Sequence, residues 1–206
     1  MSDFSNTLQL FVTLAVKPAE LDSYLDAMQR EAAGARSEAG CLAFDLLVDP
    51  AAPHTLYLLE HWASQAALEV DHARQPYYIH VRGLEAQALT GEFEERRLRP
   101  IAPTQPYPAG VKSRAAGWTH VLILQGGNDA QLAALDAAFA AAGHHATLLF
   151  ANDGRAGERL LVQSWDHEAA CHAAWTAAPA QAFQALIDAS HWRTRQRLHL
   201  HDRASR

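Results

Sequence analysis

The sequence predicts an α+β protein of two ferredoxin-like βαββαβ units, packed sheet to sheet as an intramolecular pseudo-dimer. Three observations predict it. The two halves of the 206-residue chain echo each other at one offset, and each half reads strand, helix, strand, strand, helix, strand. The third strand of the first half is a near-continuous apolar run, which implies cover on both faces.

At an offset of 103, Gly40 matches Gly143, Leu46 matches Leu149, Asp49 matches Asn152, Trp62 matches Trp165 and Pro76 matches Pro179. Near the C-terminus the offset falls to 100, and Arg97-Leu98 matches Arg197-Leu198. No single identity is persuasive, but one shared offset over a long segment is.

In the first half, Leu8–Val16 is apolar and β-branched, hence a strand. Pro18 suits the first turn of a helix, whose apolar face is Leu21, Leu25, Met28 and Ala32. Gly40 is a stop signal. Cys41–Asp49 and Leu56–Trp62 are strands around a turn at Asp49-Pro50. Ser64 caps a helical stretch over Gln65–His72. Pro76 opens another, with Tyr77, Val81, Leu84 and Ala88 on one face, and Phe93–Arg99 is the fourth strand.

The second half repeats this order: a strand at Trp118–Leu124, a helix capped by Asp129, strands at His145–Ala151 and Arg159–Trp165, helical segments at Glu168–Trp175 and Ala180–Ser190, and a strand at Trp192–Leu200. The expected domains are 1–100 and 118–206. Residues 101–117 carry several prolines and no helical period, and read as an extended linker. A ferredoxin-like sheet with helices on one face leaves the other apolar, and a second such sheet would cover it.

Composition narrows the function classes. The chain is 49% hydrophobic and has a net charge of −6, which gives no reason to expect nucleic acid or an anionic membrane as partner. Residues 1–103 hold 8 Lys/Arg against 15 Asp/Glu, and residues 104–206 hold 9 against 8. Cys41 and Cys171 have no metal-binding spacing and read as reduced thiols. No targeting segment is visible, and no apolar run reaches the roughly 18 residues of a membrane span. The expected location is the cytoplasm.

One pattern occurs twice with different chemistry. LYLLEHWASQAALEVDH, from Leu56 to His72, carries Glu60 and ends on His72; LLVQSWDHEAACHAAW, from Leu160 to Trp175, has Gln163 and Trp175 at those places.

The first half resembles the antibiotic biosynthesis monooxygenase family, whose members form dimeric α+β barrels. The resemblance lies in VKPAELDSYLDAM after the first strand, RSEAGCLAFDLLVDP, YLLEHWAS with a helix reaching His72, and Pro76-Tyr77-Tyr78. It covers about residues 8–100. The second half keeps Gly143 and Trp165, departs at the polar positions, and looks like a degenerate copy. The resemblance implies an α+β barrel and a small quinol-like or phenolic substrate oxidised by molecular oxygen without metal or flavin. Such families also include a phosphorylated-sugar isomerase and haem-degrading enzymes, so the site must decide. The alternatives are an isomerase shuttling a proton between His72 and Glu60, and a non-catalytic ligand-binding or stress-response protein. Whether two such chains associate into a homodimer is left open.

Cofactor-free oxygenation needs a base, a dry pocket and stabilisation of negative charge. His72 is the expected base, as neutral imidazole, and the resemblance places it near the family's pocket. Glu60 shares a strand face with Leu58 and Trp62, where burial would make it a useful base. His61 points the other way and reads as an interface or surface residue. Trp62 reads as core that walls the pocket, because Trp165 persists in the second half. Tyr77 and Tyr78 suit stacking on an aromatic substrate, with helix packing the plainer role. Arg36, beside Glu38 at the end of the first helix, suits an anionic ligand or a surface ion pair. His199 and His201 lie two apart on a strand, but no third ligand is visible, so no metal site is expected. His72→Ala is expected to abolish activity and leave the fold intact.

Overall fold

The structure is a computed structural model that describes residues 7–101, 118–126, 129–130, 146–165, 167–176 and 193–202. Two compact units emerge, the first running to Arg97 and the second from Leu98.

In the first unit β1 spans Leu8–Ala15, α1 Leu21–Ser37, β2 Cys41–Asp49, β3 Ala52–Trp62, α2 Pro76–Ala88 and β4 Glu94–Pro100. The strand order is β4-β1-β3-β2, the ferredoxin-like arrangement. β1 and β2 both run antiparallel to β3, with Leu10 opposite Glu60, which in turn faces Phe44. Pairing alternates side chains between faces. Leu10, Val12, Leu46, Leu58 and Trp62 therefore face the helices, and join one core with Tyr24, Met28 and Val81. At about 1.5–3 kcal/mol for each large apolar side chain removed from water, this is the unit's main stabilisation.

α1 opens through a short 3-10 turn at Pro18–Glu20, with Asp22 in its own first turn and Arg36 in its last, as the helix dipole favours. Its buried face is Tyr24, Ala27, Met28, Glu31, Ala32 and Ala35. The stripe is thus turned from the expected one: Leu21 and Leu25 are only partly buried. Tyr24, with its larger area, takes the core position, and a glutamate shares its face.

α1 ends at Ser37, and Gly40 has an ordinary backbone conformation, so it is not a left-handed cap. A Cβ at Gly40 would sit 2.6 Å from that of Ala67, so its role is to admit a close neighbour. That neighbour begins a wide π-helical turn at Ala67–Asp71, followed by a 3-10 turn at His72–Arg74. Ser64 caps this segment as expected, accepting the Ala67 N–H at 3.1 Å. The winding differs from the α-helix expected over Gln65–His72.

In the second unit β5 spans Trp118–Gln125, β6 Ala146–Asn152, β7 Glu158–Trp165, α3 Glu168–Thr176 and β8 Arg193–Asp202. The strand order β8-β5-β7-β6 repeats the ferredoxin-like arrangement. Leu98, Arg99 and Pro100 belong to this unit and pair with Asn152, Ala151 and Phe150 of β6. The Asp129 carboxylate accepts a 2.7 Å bond from Arg159 Nε. The linker at 102–117, the body of the helix after Asp129 and the segment Ala180–Ser190 lie outside the described residues. So do the side chains of β8, including those of His199 and His201. Among the described residues no helix is long and apolar enough to cross a membrane.

Candidate functional site

The helix-facing side of the first unit's sheet encloses a cavity of about 270 Å³. β1 and β3 supply Leu10, Val12, Leu58 and Glu60, and α1 supplies Tyr24, Met28 and Glu31. The wide turn and the 3-10 turn bring Leu68, His72 and Ala73, α2 brings Tyr78 and Val81, and Phe93 stands before β4. The walls are mostly apolar, with a few convergent polar groups, as in small-molecule sites. An engineered cavity of about 150 Å³ accepts benzene, so the volume here is ample for an aromatic ring.

Glu60 is buried, and its Oε2 accepts the Trp62 indole N–H at 2.8 Å. Burial pushes its carboxyl up to about 7; the indole bond opposes this, and the nearby Glu31 charge adds to it. At neutral pH the carboxyl is thus divided between acid and base forms.

His72 is almost fully buried and engages a carboxylate at each ring nitrogen. Nδ1 lies 2.6 Å from Glu38 Oε1, and Nε2 lies 3.3 Å from Glu31 Oε1. The Tyr77 hydroxyl donates to the same Glu38 oxygen at 2.7 Å. The imidazole also packs against Trp62 and Tyr78, with ring centroids 4.6 and 4.9 Å away. Burial pulls its pKa down, but the two carboxylates outweigh burial and leave it above the ordinary 6.5. His72 therefore favours imidazolium, where an unperturbed ring would be largely neutral. Aromatic faces beside it suit that cation. Glu31 is pushed up by burial, against the pull of its His72 bond.

The structure thus brings Glu60, His72 and Tyr78 to one cavity. Trp62 stands behind Glu60 and holds its carboxylate. Tyr77 holds Glu38 rather than lining the cavity, and Gly34 makes room for it: a Cβ there would lie 2.4 Å from the Tyr77 ring. Arg36 is elsewhere. Its Nε donates to the Phe44 carbonyl at 2.8 Å, and its guanidinium lies 4.0 Å from the buried Asp45. His61 is buried on the sheet face opposite Glu60.

Sequence reasoning missed Glu31. The signal was present, since Glu31 falls three residues after Met28 on an otherwise apolar helix face. It also missed the polar residues further along the cavity wall. Arg97 there bridges Glu69 and Glu95, each at 3.1 Å, and Arg82 lies 5.0 Å from the Phe93 ring centroid.

The second unit treats the same place differently. The Leu10–Glu60 pair of β1 and β3 has its counterpart in His120–Gln163 of β5 and β7. Both are fully buried, and Trp175 of α3 donates its indole N–H to Gln163 Oε1 at 3.1 Å. Trp175 also meets the His120 ring edge-on at 4.4 Å. Where the first unit has ionisable groups at a cavity, the second has a hydrogen-bonded aromatic contact.

Residues 9–82 match the family model described as antibiotic biosynthesis monooxygenase. A candidate monooxygenase from Fusobacterium nucleatum has a similar structure, with TM-score 0.76 and 12% identity over 97% of this chain and 94% of its own. One from Lactobacillus acidophilus has TM-score 0.69 and 12% identity, covering 96% and 93%. An anthrone oxidase-like protein has TM-score 0.62 and 15% identity, covering 98% and 93%. At these identities the likeness is one of fold.

Proposed function

We propose that the first unit, which carries an antibiotic biosynthesis monooxygenase domain over residues 9–82, oxidises a quinol-like or phenolic small molecule with dioxygen. The observation that carries this reading is Glu60, a carboxyl with a pKa near 7 set in the wall of a largely apolar cavity. Such a group is matched to removing a phenolic proton at neutral pH. The phenolate is electron-rich and passes electrons to dioxygen. The apolar walls keep water from the reacting carbon, and the His72 imidazolium offsets developing negative charge.

The chemistry balances without a further reductant. A phenol loses two hydrogens and gains one oxygen atom as a quinone carbonyl, while the other oxygen leaves as water. Four electrons pass from the ring to dioxygen. A cavity of about 270 Å³ suits a substrate of one or two rings, and is small for a flavin or porphyrin beside its substrate. The degenerate second unit then serves as packing rather than as a second reaction centre.

The test is oxygen uptake by the intact chain with a panel of phenols and hydroquinones. Labelled dioxygen should place one atom in the product. Uptake by wild type and a loss of at least about 100-fold in Glu60→Gln are expected, the usual scale for a general base. Turnover of a substrate without oxygen uptake would instead favour an isomerase, in which Glu60 and His72 exchange a proton with the substrate.

A further inference from the structure

Resting on the oxygenase reading, we propose that Glu31, His72 and Glu38 form a proton store, which takes up a substrate proton during oxygenation and returns it to the departing water. Glu31 and His72 line the cavity, whereas Glu38 does not. His72 joins them through opposite ring nitrogens, at 3.3 Å to Glu31 and 2.6 Å to Glu38. Tyr77 adds a 2.7 Å bond to Glu38 and acts as a positioning residue. Nothing in the proposed role of Glu60 uses this chain.

The need for a store follows from the reaction. Phenol plus dioxygen gives quinone plus water, so both hydrogens the substrate loses end on water and none is released net. Two protons must be held close to the reacting oxygen and given back. Glu60 can hold one; a second buried acceptor is required while substrate fills the cavity.

At rest the imidazolium sits between two carboxylates. When Glu31 takes a substrate proton, the substrate O–H or C–H bond breaks and a Glu31 O–H bond forms. The imidazolium then loses one of its two counter-charges. Its Nδ1–H bond breaks and a Glu38 O–H bond forms, so the three groups become neutral together. This matters because buried charge without a full set of partners is costly. When the O–O bond breaks, Glu31 gives its proton to the leaving oxygen, and Glu38 returns its proton to Nδ1. No ring flip is needed. The charged and titratable groups around the ring are Glu31 from α1, Glu38 just after it, Glu60 from β3, and Tyr77 and Tyr78 from α2.

The test uses the full chain with Glu38→Gln, which keeps the shape but cannot accept a proton, and with Tyr77→Phe. Expected for Glu38→Gln is a fall in kcat of about 10-fold or more with KM nearly unchanged, since Glu38 does not touch substrate. Expected for Tyr77→Phe is a smaller fall in the same direction. Magnetic resonance titration of isotope-labelled imidazole nitrogens, with His72 assigned by its own variant, should show His72 titrating lower in Glu38→Gln than in wild type. An unchanged kcat in Glu38→Gln, or an unchanged His72 titration, overturns the store while leaving the oxygenase reading in place. Wild type that consumes no oxygen with any phenol overturns both.

Discussion

Trp62 donates its indole N–H to Oε2 of Glu60 at 2.8 Å, and the two lie on one strand face, both buried. The bond holds the carboxylate in place but does not offset its burial, and Glu60 stays near 7. Its folded pKa is above the ordinary 4.5, so the folded state binds the proton more tightly than the unfolded state does. Stability therefore falls as pH rises from about 4.5 through 7. Glu60→Gln removes that penalty and still accepts the indole bond. It should stabilise the chain at pH 8 by on the order of 2 kcal/mol and by much less at pH 5, while abolishing oxygen uptake. Thermal unfolding of both proteins at the two pH values measures this.

The rate should follow the same group. With Glu60 as base, kcat/KM rises through an acid limb near 7. The alkaline limb belongs to His72, whose imidazolium outlasts the ordinary 6.5. Oxygen uptake across pH should give a bell, and an acid limb near 4.5 would reject Glu60 as the base.

His72→Ala should do more than stop turnover. It leaves Glu31 buried and Glu38 nearly so, without the group between them. Breaking one side of a buried pair costs about 3–5 kcal/mol, which corrects the expectation of an intact fold. Because the folded pKa of His72 is raised, its ionic contribution is full below about 6.5 and declines as pH passes the folded value. Denaturant unfolding at pH 6 and pH 9 should show the larger loss at pH 6.

Gly34→Ala reverses a general rule. Alanine inside a helix is normally better than glycine by about 1 kcal/mol. Here the new Cβ would stand 2.4 Å from the Tyr77 ring. Overpacking of this kind costs roughly 1–3 kcal/mol and should push Tyr77 off Glu38. A lower melting temperature together with a reduced kcat is expected.

Trp175→Phe separates the units. It removes the donor to the buried Gln163 carbonyl and should cost about 1–3 kcal/mol. Oxygen uptake should be unchanged, as measured in the same assay. A loss of turnover would show that the second unit takes part in the reaction.

Much of this was legible in the sequence. Period-two alternation placed Glu60 beside Leu58 and Trp62 and turned His61 away, because pleating leaves little choice. Cys41–Asp49 was read to the residue, since Gly40 and Pro50 bound it tightly. Glu31 was not legible, because a charged residue between Met28 and Ala32 reads as tolerated noise until its partner is known. That partner, His72, is 41 positions away. Arg36 was misjudged for a related reason: sequence puts it next to Glu38, but the fold gives it the Phe44 carbonyl and Asp45. Only tertiary structure supplies such distant neighbours.

The turn at Ala67–Asp71 carries a last consequence. The His72 amide is shared between the carbonyls of Ala67 and Leu68, five and four residues back, so the chain there sits between two ways of winding. Removing one residue from this stretch would let an ordinary helix form, and would swing whatever follows by about 100° around the axis. The imidazole would leave its carboxylates although no side chain of the site had been altered. The chemistry of this protein is thus written partly in how many residues precede His72, a property that scanning by substitution never samples and that a single-codon deletion would expose.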